Sequence, residues 1–287
     1  MAPARNFHGT CEDWLFAASC APCKTANVAE LNGSPIDGED LKSLALVNYA
    51  HFTSMRIEAG CRVRGWDLHM QRLARDCMTV FGTQLDTENV RTLVAQAVEQ
   101  LQTPTTVRVT VFDPGLEMGR TGAKANPDVL VTTRPAATLP LPALKVATVA
   151  FSRELPHVKH AGLMASLYQR RVAQQAGFDD ALFTETNGDV TEGVTWNVAF
   201  IDADQIIWPS GNVLPGITAA LIARLHQPSV SARVNAAEIH GMQAAFATNV
   251  SYGVRPIGAI DGHQFDTSHP LLAELSEKYL AIEPDQI

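Results

Sequence analysis

Lysine is scarce in this chain: only six of its 22 basic residues are lysines. Other features are missing altogether. No apolar run approaches the ~18 residues that a membrane-spanning helix needs. No strand leads into a dinucleotide glycine fingerprint or a phosphate-loop motif, so the common nucleotide-binding signatures are excluded. The five cysteines, an odd number in 287 residues, form no disulfide framework. No group of Cys, His and carboxylate side chains has metal-ligand spacing, and no metal site is expected. A net charge of −8 speaks against a nucleic-acid partner. There is no internal repeat and no low-complexity tract.

What is present fits an ordinary globular protein, 46% hydrophobic and 18% charged, with length enough for two domains. Residues 1–27 read as a poorly ordered extension. Their apolar stretch, Trp14 to Cys20, is too short for a secretion signal. It also follows Glu12 and Asp13, where such a signal carries basic residues. A cytoplasmic location is the expectation. Cys20-Ala-Pro-Cys23 has redox-motif spacing but lacks the flanking strand and helix of a thioredoxin-like unit.

From Val28 the pattern mixes hairpins and helices. A strand, the Asn32-Gly33 turn and a second strand come first, then a short helix from Gly38 to Asn48. His51 to Glu58 and Cys61 to Arg64 flank an Ala59-Gly60 turn. Asp67 to Phe81 is helical with Leu68, Leu73, Cys77 and Phe81 on its apolar stripe, and Gly82 ends it. Thr87 is placed to cap a helix running to Leu101. Strands follow at Thr106–Phe112 and Val129–Thr133. Three prolines within Arg134 to Ala143 make a stiff connection. That divides the chain into a small domain at 28–134, a linker at 135–142 and a larger domain at 143–287. The larger domain alternates strands with helices at Leu163–Ala176, Gly216–Leu225 and Pro270–Leu280. The fold class is α+β, or mixed α/β.

Lys159 stands between an apolar strand and an apolar helix. A lysine there is either a snorkelling surface residue or a desolvated amine, whose pKa falls and which becomes a nucleophile able to form a Schiff base. Glu192, in Val190-Thr-Glu-Gly-Val-Thr-Trp-Asn197, is either a solvated turn residue or a carboxylate set against a ring nitrogen. Leu214-Pro-Gly-Ile-Thr218 opens a helix. Proline suits its first turn, glycine allows close backbone approach, and the free amides of Gly216, Ile217 and Thr218 can hold a phosphate.

In this order and spacing the three segments resemble the class IV aminotransferases. This family of pyridoxal phosphate enzymes, of fold type IV, includes branched-chain and D-amino-acid aminotransferases and aminodeoxychorismate lyase. The resemblance runs from about Val28 to Asp261. Lys159 matches the Schiff-base lysine, Glu192 to Asn197 the E-G-x-x-x-N pattern, and Leu214 to Thr218 the phosphate motif. His69-Met-Gln-Arg-Leu73 resembles the H-x-x-R-L helix, which makes Arg72 a phosphate ligand. Thr248-Asn249-Val250-Ser251 resembles the second phosphate-side loop. The resemblance implies pyridoxal 5'-phosphate as cofactor and a small α/β domain beside a larger domain with a barrel-like mixed sheet. It also implies a homodimer with His51 to Arg56 near the interface. Lys159 and Glu192 are then catalytic. Arg72, Asn197, Leu214, Gly216, Ile217, Thr218, Asn249 and Val250 join them in holding the cofactor.

Arg108, Arg120 and Arg56 are candidates for gripping a substrate carboxylate, because guanidinium offers a bidentate fork. His51, Thr53 and Trp196 are candidate pocket residues. Branched-chain aminotransferases carry a tyrosine five residues after the lysine, whereas this chain has Met164. Lys159-His160 and Phe52-Thr-Ser-Met-Arg56 resemble the lyase, but Phe112 to Arg120 lacks its compact glycine-arginine loop. The first expectation is an aminotransferase acting on an amino acid or amine and a 2-oxo acid. The second is a lyase releasing pyruvate, and the third a non-catalytic protein that binds the cofactor.

Overall fold

The structure, a computed structural model, describes residues 27–101 and 104–287. The expected N-terminal extension and its Cys20–Cys23 pair lie outside the described residues, apart from Asn27. Among the described residues, no helix is long and apolar enough to cross a membrane.

The first half builds an antiparallel sheet from β1 (Ala29–Leu31), β2 (Ser34–Pro35), β3 (Ala50–Glu58), β4 (Arg62–Val63), β5 (Thr105–Phe112) and β6 (Asp128–Pro135). Asp285–Gln286, from the end of the chain, pairs with β4 at one edge. Three helices accompany the sheet: α1 (Lys42–Val47), α2 (Trp66–Phe81) and α3 (Thr87–Val98). Glycines in left-handed conformation bound α2, Gly65 at φ 72° and Gly82 at φ 63°. The cap of α3 is Asp86, not Thr87: its carboxylate accepts from the amides of Glu88 and Asn89.

Strand alternation divides the side chains of this sheet between two faces. Met55, Ile57, Val107, Val109, Val111 and Val131 pack with Met70, Leu73, Cys77 and Val94 of the helices. Phe52 and Ser54 of β3 and Arg108 of β5 take the opposite face, with Ser54 opposite Arg108 in register.

The second half supplies β7 (Leu144–Ala150), β8 (Asp180–Thr184), β9 (Val190–Gly193), β10 (Asn197–Asp202), β11 (Gln205–Pro209), β12 (Ser229–Ala232), β13 (Ala244–Asn249), β14 (Gly253–Ile260) and β15 (His263–Gln264). It also supplies the helices α4 (Met164–Gln175), α5 (Ile217–Ala223) and α6 (Pro270–Leu280). The hydrogen-bonded order β10-β13-β14-β7-β8-β9 returns to β10, so six strands close a barrel. Pairings β7–β8 and β7–β14 are parallel and the others in the ring antiparallel. The run Val198-Ala-Phe-Ile201 is apolar throughout because the middle of β10 is buried on both faces. Val198 and Phe200 join the cluster containing Val146, Leu182 and Ile257. Ala199 and Ile201 face Ile222, Leu271 and Leu275 under α5 and α6.

Two local features go beyond the sequence reading. Glu192 is not on a turn but inside β9, all four of whose residues are buried. The strand β12, parallel to β11, carried no visible sequence signal because Ser229-Val-Ser-Ala232 is short and only partly buried.

Candidate active site

Lys159 follows β7 on a segment that adds itself to β3. Its carbonyl accepts from the amide of Phe52 at 2.8 Å, and the amide of Ala161 donates to the carbonyl of Ala50 at 2.7 Å. The amine stands 4.9 Å from the centre of the Phe52 ring. Burial lowers its pKa to about 7, and the neighbouring Arg72 and Arg153 push it the same way, against the pull of Glu192. That direction favours the free amine, the form that attacks a carbonyl.

Glu192 is 4% exposed. Its Oε2 accepts from the amide of Leu214 at 3.0 Å, and its Oε1 lies 3.5 Å from Arg153 Nε without a hydrogen bond. Burial raises its pKa, while Arg153 and the Leu214 amide oppose the rise. The result is a buried carboxylate with one oxygen still short of a donor.

Asn197 begins β10 directly opposite Glu192 in register. Its Nδ2 donates to the carbonyl of Leu214 at 2.8 Å, which fixes the turn into α5. A Cβ on Gly216 would stand 1.9 Å from Asn197 Oδ1, so only glycine allows this approach. Arg72, on α2, is 6% exposed and donates through Nη2 to Thr53 Oγ1. Its Nε is buried without a partner, as is Thr248 Oγ1 at the end of β13. Burial brings the Arg72 pKa down to about 10.

These groups open on one cavity of about 300 Å³. Its wall includes Lys159, Glu192, Arg72, Asn197, Leu214, Gly216, Ile217, Thr218, Asn249 and Val250, the full expected cofactor set. Of the expected substrate residues, the structure brings only Arg108 to the wall. Its guanidinium lies 3.6 Å from the centre of the Phe52 ring, and its Nε donates to Thr110 Oγ1. Trp196 also lines the cavity.

The other substrate candidates lie elsewhere. His51 and Thr53 fall on the helix-covered face of β3, because strand side chains alternate. His51 is fully buried, with a pKa lowered by burial to about 4, and Thr53 Oγ1 is shared between His69 Nδ1 and Arg72. Arg56 is tied to Glu58 and to the carbonyl of Ala137. Arg120 sits on an exposed 3-10 turn, Met118–Arg120, away from the cavity wall.

Sequence reading missed Arg134 and Arg153, both on the wall. The signal for Arg134 was available in the strand register: it faces Thr106, two residues along β5 from Arg108, so the two arginines share a face. Arg153 reaches Glu192 across 39 residues of chain, which no spacing reveals.

The family model for "Amino-transferase class IV" matches residues 50–260. The chain belongs to the class IV aminotransferase family. That match spans every cavity residue named above. Solved structures of the family's enzymes share the fold. A branched-chain aminotransferase from Thermoproteus uzoniensis, solved with norvaline, superposes with TM-score 0.79 at 19% identity, over 88% of this chain and 94% of that one. The PLP form of the Thermobaculum terrenum branched-chain amino acid aminotransferase gives 0.79 at 17%, over 89% and 93%. A putative 4-amino-4-deoxychorismate lyase from Legionella pneumophila gives 0.74 at 20%, over 84% and 93%. No curated protein sequence matches the chain. At these identities the structural likeness carries the fold, two sheets with a closed mixed barrel, and not a substrate.

Proposed function

We propose that this chain is a pyridoxal phosphate-dependent aminotransferase, moving an amino group between an amino acid or amine and a 2-oxo acid. The observation that carries the reading is the convergence of the Lys159 amine, the Glu192 carboxylate and the Arg72 guanidinium on one cavity. The residues fit the cofactor. The Arg72 Nε and Thr248 Oγ1 lack partners, which suits a phosphate, and the free Glu192 oxygen suits a protonated ring nitrogen.

When bound, pyridoxal phosphate supplies an aldehyde that takes up an amine and a ring that withdraws electrons from the carbon next to it. Lys159 is the residue that would hold the cofactor's aldehyde carbon, and its amine would serve as the general base for the substrate's α-proton. Glu192 would keep the ring nitrogen protonated. Arg72, the amides of Ile217 and Thr218, and Asn249 would hold the phosphate. Arg108 and Arg134 offer their guanidinium groups to a substrate carboxylate from the opposite wall. In this reading residues 28–134 and 143–287 act as small and large domains, with the cavity between them.

A second reading, a lyase that releases pyruvate from aminodeoxychorismate, is supported by the position of His160. It lines the cavity beside Lys159, whereas Met164 is 84% exposed and lies outside it. A half-reaction separates the two. Mixed with an amino acid alone, the holoenzyme should lose its visible cofactor absorbance and yield pyridoxamine phosphate on extraction. Stoichiometric pyruvate from aminodeoxychorismate without that conversion would select the lyase.

A homodimer belongs to the same proposal. The strand β3 that carries His51 to Arg56 lies between β4 and β5 inside its sheet. Among the described residues, α4 leaves four apolar side chains uncovered: Met164, Leu167, Tyr168 and Val172. Light scattering should give twice the chain mass, with Tyr168→Asp shifting the mass downward. A wild-type monomer with full activity would remove the dimer.

A further inference from the structure

Asp76 is fully buried on α2, one turn after Arg72. Its Oδ2 accepts from the backbone amide of Lys159 at 3.0 Å. Its Oδ1 accepts from Arg75 Nε at 2.9 Å and Arg75 Nη2 at 2.7 Å. The same Arg75 Nη2 donates to the carbonyl of His157 at 2.8 Å. Two adjacent helix residues thus grip both ends of the tripeptide 157–159, while β3 holds its far side through the Phe52 amide. A buried carboxylate costs several kcal/mol of desolvation, and an amide needs only a neutral acceptor. Packing alone does not account for a charge at this place.

We propose that Asp76, together with Arg75, is a positioning residue for the reactive lysine: it pins the Lys159 backbone to the helix that carries Arg72. The spacing between the amine and that guanidinium is then fixed by one rigid helical turn. The inference rests on the reading of Lys159 as the reacting amine. The charged groups facing that amine are Arg72 from α2, Arg108 from β5, Glu192 from β9, and Arg153 and His160 from its own segment. His69 of α2 also lies within its field. Released from Asp76, the Lys159 backbone could shift, and the amine would no longer be confined beside Arg72 and Arg153. Less buried and farther from cations, it would hold its proton more tightly.

Competitive acetylation of the full-length, cofactor-free chain with acetic anhydride, read at Lys159 by mass spectrometry across pH, reports that proton. Amide hydrogen exchange at Lys159 reports the backbone bond. Asp76→Ala should raise the labelling midpoint by about half a pH unit or more. It should also speed exchange of the Lys159 amide about tenfold, the size expected for a lost bond to a charged acceptor. Asp76→Asn, which keeps an acceptor oxygen, should restore most of both. A role confined to stability would lower the melting temperature of the variants and leave the midpoint of the folded protein unchanged. A wild-type midpoint and wild-type exchange in Asp76→Ala overturn the proposal. If that variant does not fold, Arg75→Gln, altered at a half-exposed side chain, should shift both readouts in the same direction by less, and no shift overturns it. Neither readout involves the cofactor. Failure of the cofactor reading would appear separately, as borohydride reduction of the holoenzyme leaving Lys159 unlabelled.

Discussion

Lys159→Ala should cut turnover by about a thousandfold or more, because one group is removed from two roles, covalent attachment and proton transfer. Steady-state rates on a working amino donor test the loss, with cofactor content measured on the same preparation. Residual turnover above about a tenth of wild type would mean that another amine does the chemistry. The same residue should leave a signature on stability. Its amine titrates near pH 7 in the fold, against an ordinary value of 10.5. Between those limits the unfolded chain binds more protons than the folded one, so stability rises with pH. Below about pH 7 the full penalty of a buried ammonium ion is present, and it fades as pH climbs toward 10.5. Lys159→Met should therefore raise the melting temperature of the cofactor-free protein at about pH 7, and the advantage should shrink by about pH 10. An equal effect at both values would place the amine in solvent.

Glu192→Gln should slow the proton-transfer step by about two orders of magnitude while weakening cofactor binding only a few-fold. The neutral amide can still accept from the Leu214 amide, so the turn before α5 survives. What it lacks is the negative charge that, in the proposed function, would keep the cofactor's ring nitrogen protonated. Its own amino group would also stand beside Arg153, 3.5 Å from the present carboxylate. Absorbance titration with pyridoxal phosphate gives the affinity, and single-turnover bleaching by an amino acid gives the rate. A variant that loses cofactor in proportion to its rate would make Glu192 a binding residue alone.

The two walls of the cavity were unequally legible in the sequence. Residue types and their order along the chain picked out residues that line one cavity: a lysine between apolar elements, a carboxylate 33 residues later, and Leu-Pro-Gly-Ile-Thr opening a helix. Each lies on a short segment whose chemistry is local, so linear order preserves it. The substrate wall was read less well. Arg56, His51 and Thr53 all belong to β3, yet strand alternation turns His51 and Thr53 away from the cavity, while Arg56, on the same face as Phe52, is held by Glu58 and the Ala137 carbonyl. Arg120 is far along a loop whose course no periodicity records.

By itself the sequence determined the family, the mixed fold and the lysine–glutamate–arginine set, since these depend on residue identity and spacing within segments. Only the tertiary structure decided that Arg134 joins Arg108, that Arg153 leans on Glu192, and that Asp76 holds the lysine from a helix 83 residues earlier. Those contacts come from strand register and from packing between distant elements. Arg134 joins Arg108 through the β5–β6 register, and of these contacts only that of Asp76 spans the two halves of the chain.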